Sequence, residues 1–127
     1  MRVMLLAEHF SPRLGGAARA CSELARGLAA QGVELVVVAD RDAGLPEFER
    51  LDGFEIHRLE LTSALERGDP RSVLLQARRL AEIVEASGPH LCHLSGGALS
   101  FYYATRLMMR REQPWVTTIH LPRPASA

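Results

Sequence analysis

The chain has 127 residues, with fifteen basic side chains that are all arginine, fifteen acidic ones and a formal net charge of zero. That length suits one domain, burying somewhat under ~70 % of the unfolded chain's surface. The missing lysine excludes a P-loop, a pyridoxal Schiff base, a lysine nucleophile and a receiver domain built on an active-site Lys, and zero net charge argues against a broad nucleic-acid surface.

The elements follow in chain order. Val3 to Ala7 is a continuous apolar run, as expected for a strand covered on both faces. Only Met1 and Arg2 precede it, and Glu8 and His9 interrupt it, so it does not read as a signal peptide. No stretch approaches the ~18 apolar residues of a membrane span. A cytoplasmic location is expected, with peripheral contact at the inner membrane left open. The lack of asparagine removes any N-glycosylation acceptor. An Ala- and Arg-rich composition of this kind suits a GC-rich bacterial gene.

Ser11-Pro12 and Leu14-Gly15-Gly16 mark a loop, after which Ala18, Cys21, Leu24, Ala25 and Leu28 keep helical spacing to Gln31. Gly32 closes that helix. Leu35 to Ala39 is a second buried strand. The polar stretch 40–53 reads as loop. Phe54 to Leu61 mixes apolar and charged residues, which suits a strand near a sheet edge. Asp69-Pro70 opens a helix whose stripe is Val73, Ala77, Leu80 and Val84, and Ser87-Gly88-Pro89 ends it. Leu91 to Leu94 is a short buried strand, Ser95-Gly96-Gly97 opens a helix through Arg111, and Trp115 to Ile119 is a final strand. Cys21 and Cys92 are too few for a disulfide framework and read as small buried hydrophobes. The alternation predicts a Rossmann-like parallel sheet of about five strands with helices on both faces.

Ligands of such sheets bind outside the carboxyl ends of the strands. Three loops fall there: 9–16, 95–97, and 120 onward. Gly15-Gly16 directly precedes a helix. Two readings stand side by side: the pair turns the chain into its helix, or its N–H groups face an anion at close range. The spacing is not G-x-G-x-x-G, so Asp40 at the end of the second strand reads as a loop or capping residue, not a ribose acid. Ser95 does not fit a nucleophile elbow, because the G-x-S-x-G pattern would need glycine where bulky His93 stands. His90 and His93, three apart along a strand, point to opposite faces and read as structural, not as a metal pair. Arg106, Arg110 and Arg111, with Arg78-Arg79, read as a solvated face. A phosphate- or lipid-facing role is the competing reading.

The opening MRVMLLAEHFSPRLGGAARACSELARGLAAQGVELVVV resembles the start of the family 4 glycosyltransferases, retaining enzymes of the GT-B fold. Downstream, DGFEIHRL resembles the family's "dGv.V.Rl" strand, GPHLCHLSGG its "kPDiVHaH" strand and turn, and PWVTTIH its "P.V.T.H" strand. The segments come in order and span nearly the whole chain. The resemblance implies an N-terminal, acceptor-side domain of a transferase that moves a sugar from a nucleoside diphosphate sugar to an acceptor without a bound metal. It implies that Gly15 and Gly16 approach the donor diphosphate and acceptor, and that His120 reaches the transferred sugar as the catalytic residue. Ser95 and Gly96 then line the substrate site.

This sequence departs from the family at three places: Ser95 replaces the second His of "VHaH", His90 replaces the Asp of "PD", and Ala18 stands where Glu is frequent. The family's donor-binding C-terminal domain has no counterpart in residues 1–127. The chain is therefore expected to be inactive alone and to need that domain or a partner chain. Self-association through the strand 115–119 edge is a further expectation. The alternative is a non-catalytic binding subunit of a two-chain assembly.

Overall fold

A computed structural model describes residues 1–13, 15–96, 102–103 and 114–118. Gly97, the expected helix through Arg111 apart from Tyr102 and Tyr103, Ile119 and His120 lie outside the described residues.

Among the described residues, six strands form one sheet. β1 (Arg2–Ala7) lies between β2 (Glu34–Asp40) and β5 (Leu91–Ser95), and both pairings are parallel. β4 (Phe54–Leu59) pairs parallel with β2, and β6 (Trp115–Thr118) parallel with β5. β3 (Phe48–Leu51) runs antiparallel along β4, giving the order β3-β4-β2-β1-β5-β6.

The apolar run of β1 is buried on both sides because helices cover both faces. Val3, Leu5 and Ala7 pack with Cys21 and Ala25 of α1 (Gly16–Ala30). Met4 and Leu6 pack with Leu80 and Val84 of α3 (Pro70–Ser87). Side chains alternate across a strand, so this split follows from register alone. Fully burying one such side chain stabilises the fold by about 1.5–3 kcal/mol. Asp69 caps α3 by accepting from the Arg71 N–H, Pro70 takes the first helical position, and left-handed Gly88 stops the helix.

The stretch 40–53, expected to be loop, contains β3. Asp52 and Gly53 both have positive φ, 51° and 85°, and reverse the chain between β3 and β4. This is the Asp-Gly hairpin signal, two residues with φ > 0 matching the twist of the strands they join. A third helix, α2 (Leu61–Glu66), begins where the expected strand 54–61 was to end. Asp40 holds its start: the carboxylate accepts from Thr62 N at 3.1 Å and Thr62 Oγ1 at 2.6 Å. Asp40 is thus a capping residue, with both oxygens engaged.

Candidate functional site at the carboxyl end of the sheet

Chain direction along the sheet reverses at the β1–β5 boundary, because β2 continues from β1 on one side and β5 opens the other. A crevice at that switch point is where a doubly wound sheet takes its ligand. The loop after β1 and the turn after β5 flank that point. The Glu8 N–H donates to the Ser95 carbonyl at 3.1 Å, carrying the β1–β5 ladder one step into the loops.

The β1 loop is held from three directions. Arg13 donates from Nε to Asp42 Oδ2 at 2.9 Å and from Nη2 to Asp42 Oδ1 at 2.6 Å. Its Nη1 donates to the Glu8 carbonyl at 3.0 Å and lies 2.9 Å from His9 Nδ1. The hydrogen bond to Asp42 raises the Arg13 pKa, and the same bond holds the Asp42 carboxyl below the usual carboxylate range. Arg58 is buried, pairs with Glu49 at 2.8 Å and reaches the Ser11 carbonyl at 3.4 Å. Phe10 packs edge-on against Phe54, with ring centroids 6.3 Å apart.

The loop delivers the chain to Gly15, whose φ of 121° and ψ of 164° suit glycine and strain other residues. Gly15 is the N-cap of α1 and offers no side-chain cap, and the first turn carries no acid. Among the described residues, a Cβ at Gly15 or Gly16 would meet nothing within 4 Å, so the helix entrance is open there. Uncapped N–H groups beside open space at a helix N-terminus favour an anion.

Ser95 and Gly96 form the opposite wall. Ser95 is buried, its Oγ 3.0 Å from Cys21 Sγ, so the hydroxyl ties the end of β5 to α1. Burial pushes the Cys21 thiol pKa up, and the bond to Ser95 only partly offsets this, which keeps the thiol neutral. Gly96 has φ 147° and donates its N–H to the Thr118 carbonyl at 3.2 Å. Gly15, Gly16, Ser95 and Gly96 therefore share one end of the sheet, while His120 lies outside the described residues.

The two histidines of the β5 segment act separately. His90 Nδ1 accepts from the Arg2 N–H at 2.9 Å, and His93 Nε2 lies 2.7 Å from Thr118 Oγ1. Burial lowers the His93 pKa and favours the neutral ring. Among the described residues no group of three or more His, Cys, Asp or Glu side chains could hold a metal ion, and no helix is long and apolar enough to cross a membrane. The Arg13–Asp42 clamp and the buried Arg58 were not evident from the sequence. Each joins residues far apart in the chain without a local pattern.

A doubly wound, mostly parallel sheet with helices on both faces defines a Rossmann-like α/β domain. The chain belongs to the glycosyl transferase 4-like domain family, whose profile matches residues 15–127. It is similar in fold to sucrose-phosphate synthase from Thermosynechococcus elongatus, with a TM-score of 0.67 and 19 % identity over 94 % of this chain and 33 % of that one. It is likewise similar to a glycosyltransferase from Rickettsia africae ESF-5, with a TM-score of 0.63 and 19 % identity over 98 % of this chain and 31 % of that one. The chain thus spans about a third of the length of each of these two structures. No curated protein matches it in sequence.

Proposed function

We propose that residues 1–127 supply the acceptor-side half of a transferase that moves a sugar from a nucleoside diphosphate sugar to an acceptor. The observation that carries this reading is the open, uncapped entrance to α1 at Gly15 and Gly16, set at the switch point of the sheet. Family membership supports the reaction class. In this reading Gly15 and Gly16 let the donor diphosphate and the acceptor approach the backbone. Ser95 and Gly96 shape the facing wall, and His120 reaches the transferred sugar.

The reaction needs no bound metal in this reading. Charge on the leaving diphosphate is neutralised by arginine or by a donor-binding half, since the chain has no lysine. The work is done in the cytoplasm, with peripheral contact at the inner membrane and no nucleic-acid partner. Incubating the purified chain with UDP-, GDP- and ADP-glucose and mixed acceptors tests its dependence on a second half. No multiple-turnover release of nucleoside diphosphate is expected, and sustained release would refute that dependence.

A second reading, a non-catalytic subunit, draws on β6. Trp115 and Val116 are 44 % and 48 % exposed on the last described strand of the sheet. Such an edge favours pairing with a donor-binding chain or with a second copy. Light scattering of a dilute sample reads this directly, and a stable monomer would count against it.

A further inference from the structure

A cavity of about 510 Å³ lies between α3 and the β3–β4 hairpin. Register explains why it exists. Phe48 stands opposite His57 in the β3–β4 pairing, and both project to the face covered by α3. That helix packs over the centre of the sheet through Leu80 and Val84, leaving the hairpin end of the face without a cover.

The lining combines a ring surface with mixed charge. Phe48 is 51 % exposed and meets the His57 ring edge-on at 5.0 Å. Glu55 is paired with Arg50 at 2.8 Å, and Glu47 with Arg41 at 3.4 Å. Arg79 and Glu82, three apart on α3, line the opposite wall and make no ion pair or hydrogen bond among the described residues. Three carboxylates disfavour an anion, while the paired arginines reduce any preference for a cation. Five charged side chains also make a purely hydrocarbon occupant costly.

We infer that this groove binds a neutral oligosaccharide: the C–H face of a pyranose lies on Phe48, and its hydroxyls bond to Glu82, Arg79 and Glu55. An aromatic plate rimmed by planar acceptors and donors matches a sugar's alternation of apolar faces and hydroxyl edges. The inference rests on the sugar-transfer reading and deepens it, making the groove a subsite for a part of the acceptor remote from the reacting end. Leu59, the last residue of β4, lines the groove. β4 lies two strands, about 10 Å, from β1 across the sheet, and the groove runs on to Glu55 and Ser87 toward the amino end of the strands.

The test titrates the purified protein with maltotriose, cellotriose and mannotriose by calorimetry and saturation-transfer NMR. At least one should bind with a millimolar dissociation constant. Phe48→Ala should weaken that binding about fivefold. Arg79→Ala and Glu82→Ala, on an exposed helix face, should weaken it without disturbing the fold and keep the test valid if Phe48→Ala fails to fold. Arg19→Ala, on the exposed side of α1 over the other face of the sheet, should leave it unchanged. Binding by none of the three sugars, binding indifferent to all three groove variants, or a response only to spermidine or inorganic phosphate would overturn the inference. Trisaccharide binding here, with no sugar transfer even when the chain is joined to a donor-binding domain, would retain the groove and reject the transferase reading. Transfer with a silent groove would do the reverse.

Discussion

Arg13 and Asp42 stand 29 positions apart and meet in a two-pronged ion pair, Nε to Oδ2 at 2.9 Å and Nη2 to Oδ1 at 2.6 Å. The pair fastens the loop that carries the chain from β1 to Gly15 onto the segment leaving β2. A helix entrance with no side-chain cap of its own is thereby placed by a contact two elements away.

That contact makes stability depend on pH. The Asp42 carboxyl is held below its ordinary value of 3.8 by Arg13, so its contribution is complete above that value and is lost as pH falls through the depressed one. The Asp42 side chain is 44 % exposed, and solvent screening limits the pair to about 0.5 kcal/mol. Asp42→Asn should lose that amount at neutral pH and show a flatter acid limb in urea unfolding. An unchanged acid limb would contradict the clamp.

The two glycines separate fold from function. Gly15→Ala should cost about 2 kcal/mol, because φ 121° is strained for a residue with a Cβ. Gly16→Ala should stay within about 0.5 kcal/mol, since its Cβ meets nothing and it occupies the first helical position. Thermal unfolding of the two variants checks this, and equal losses would refute the assignment.

His93 should act in the opposite pH sense from a histidine stabilised by an acid. Its folded pKa is lowered by burial from an ordinary 6.5, so no penalty exists well above that value. As pH falls below 6.5 the unfolded chain takes the proton first, and stability declines until the folded ring also titrates. His93→Gln should remove that decline while leaving stability at pH 8 within about 1 kcal/mol. Stability profiles between pH 8 and pH 5 read both effects, and a decline that persists in the variant would contradict the assignment.

Arg58 is buried at 2 % side-chain exposure and holds Glu49 while reaching the Ser11 carbonyl. Arg58→Ala should destabilise by about 3 kcal/mol, because Glu49 loses its partner and the hairpin loses its tie to the β1 loop. Chemical denaturation gives the number. A loss under about 0.5 kcal/mol would place Arg58 among ordinary surface residues.

Much of the architecture was legible because local signals and global fold agreed. The uninterrupted apolar run 3–7 announced a strand buried on both faces, and Asp69-Pro70 with Gly88 bounded α3 at both ends. The β3–β4 hairpin is not legible from periodicity, because Phe48, Glu49, Arg50 and Leu51 show no two-residue alternation, although Asp52-Gly53 is a usable turn signal. Helix α2 has no local start signal, because its start depends on Asp40, twenty-two positions before Thr62. At the site, the glycine pair was readable as a helix entrance. Its open surroundings and the Arg13 clamp arise only when β1 and β2 lie side by side.

The role proposed for the open entrance at Gly15 and Gly16 is sugar transfer in combination with a donor-binding half. The most direct measurement is nucleoside diphosphate release from UDP-, GDP- and ADP-glucose by residues 1–127 joined to a GT-B donor-binding domain, with and without Gly16→Val. Turnover is expected in the joined protein, with a loss of about a hundredfold in the variant at unchanged melting temperature and no turnover from the chain alone. Full activity in Gly16→Val, with the fold intact, would contradict it.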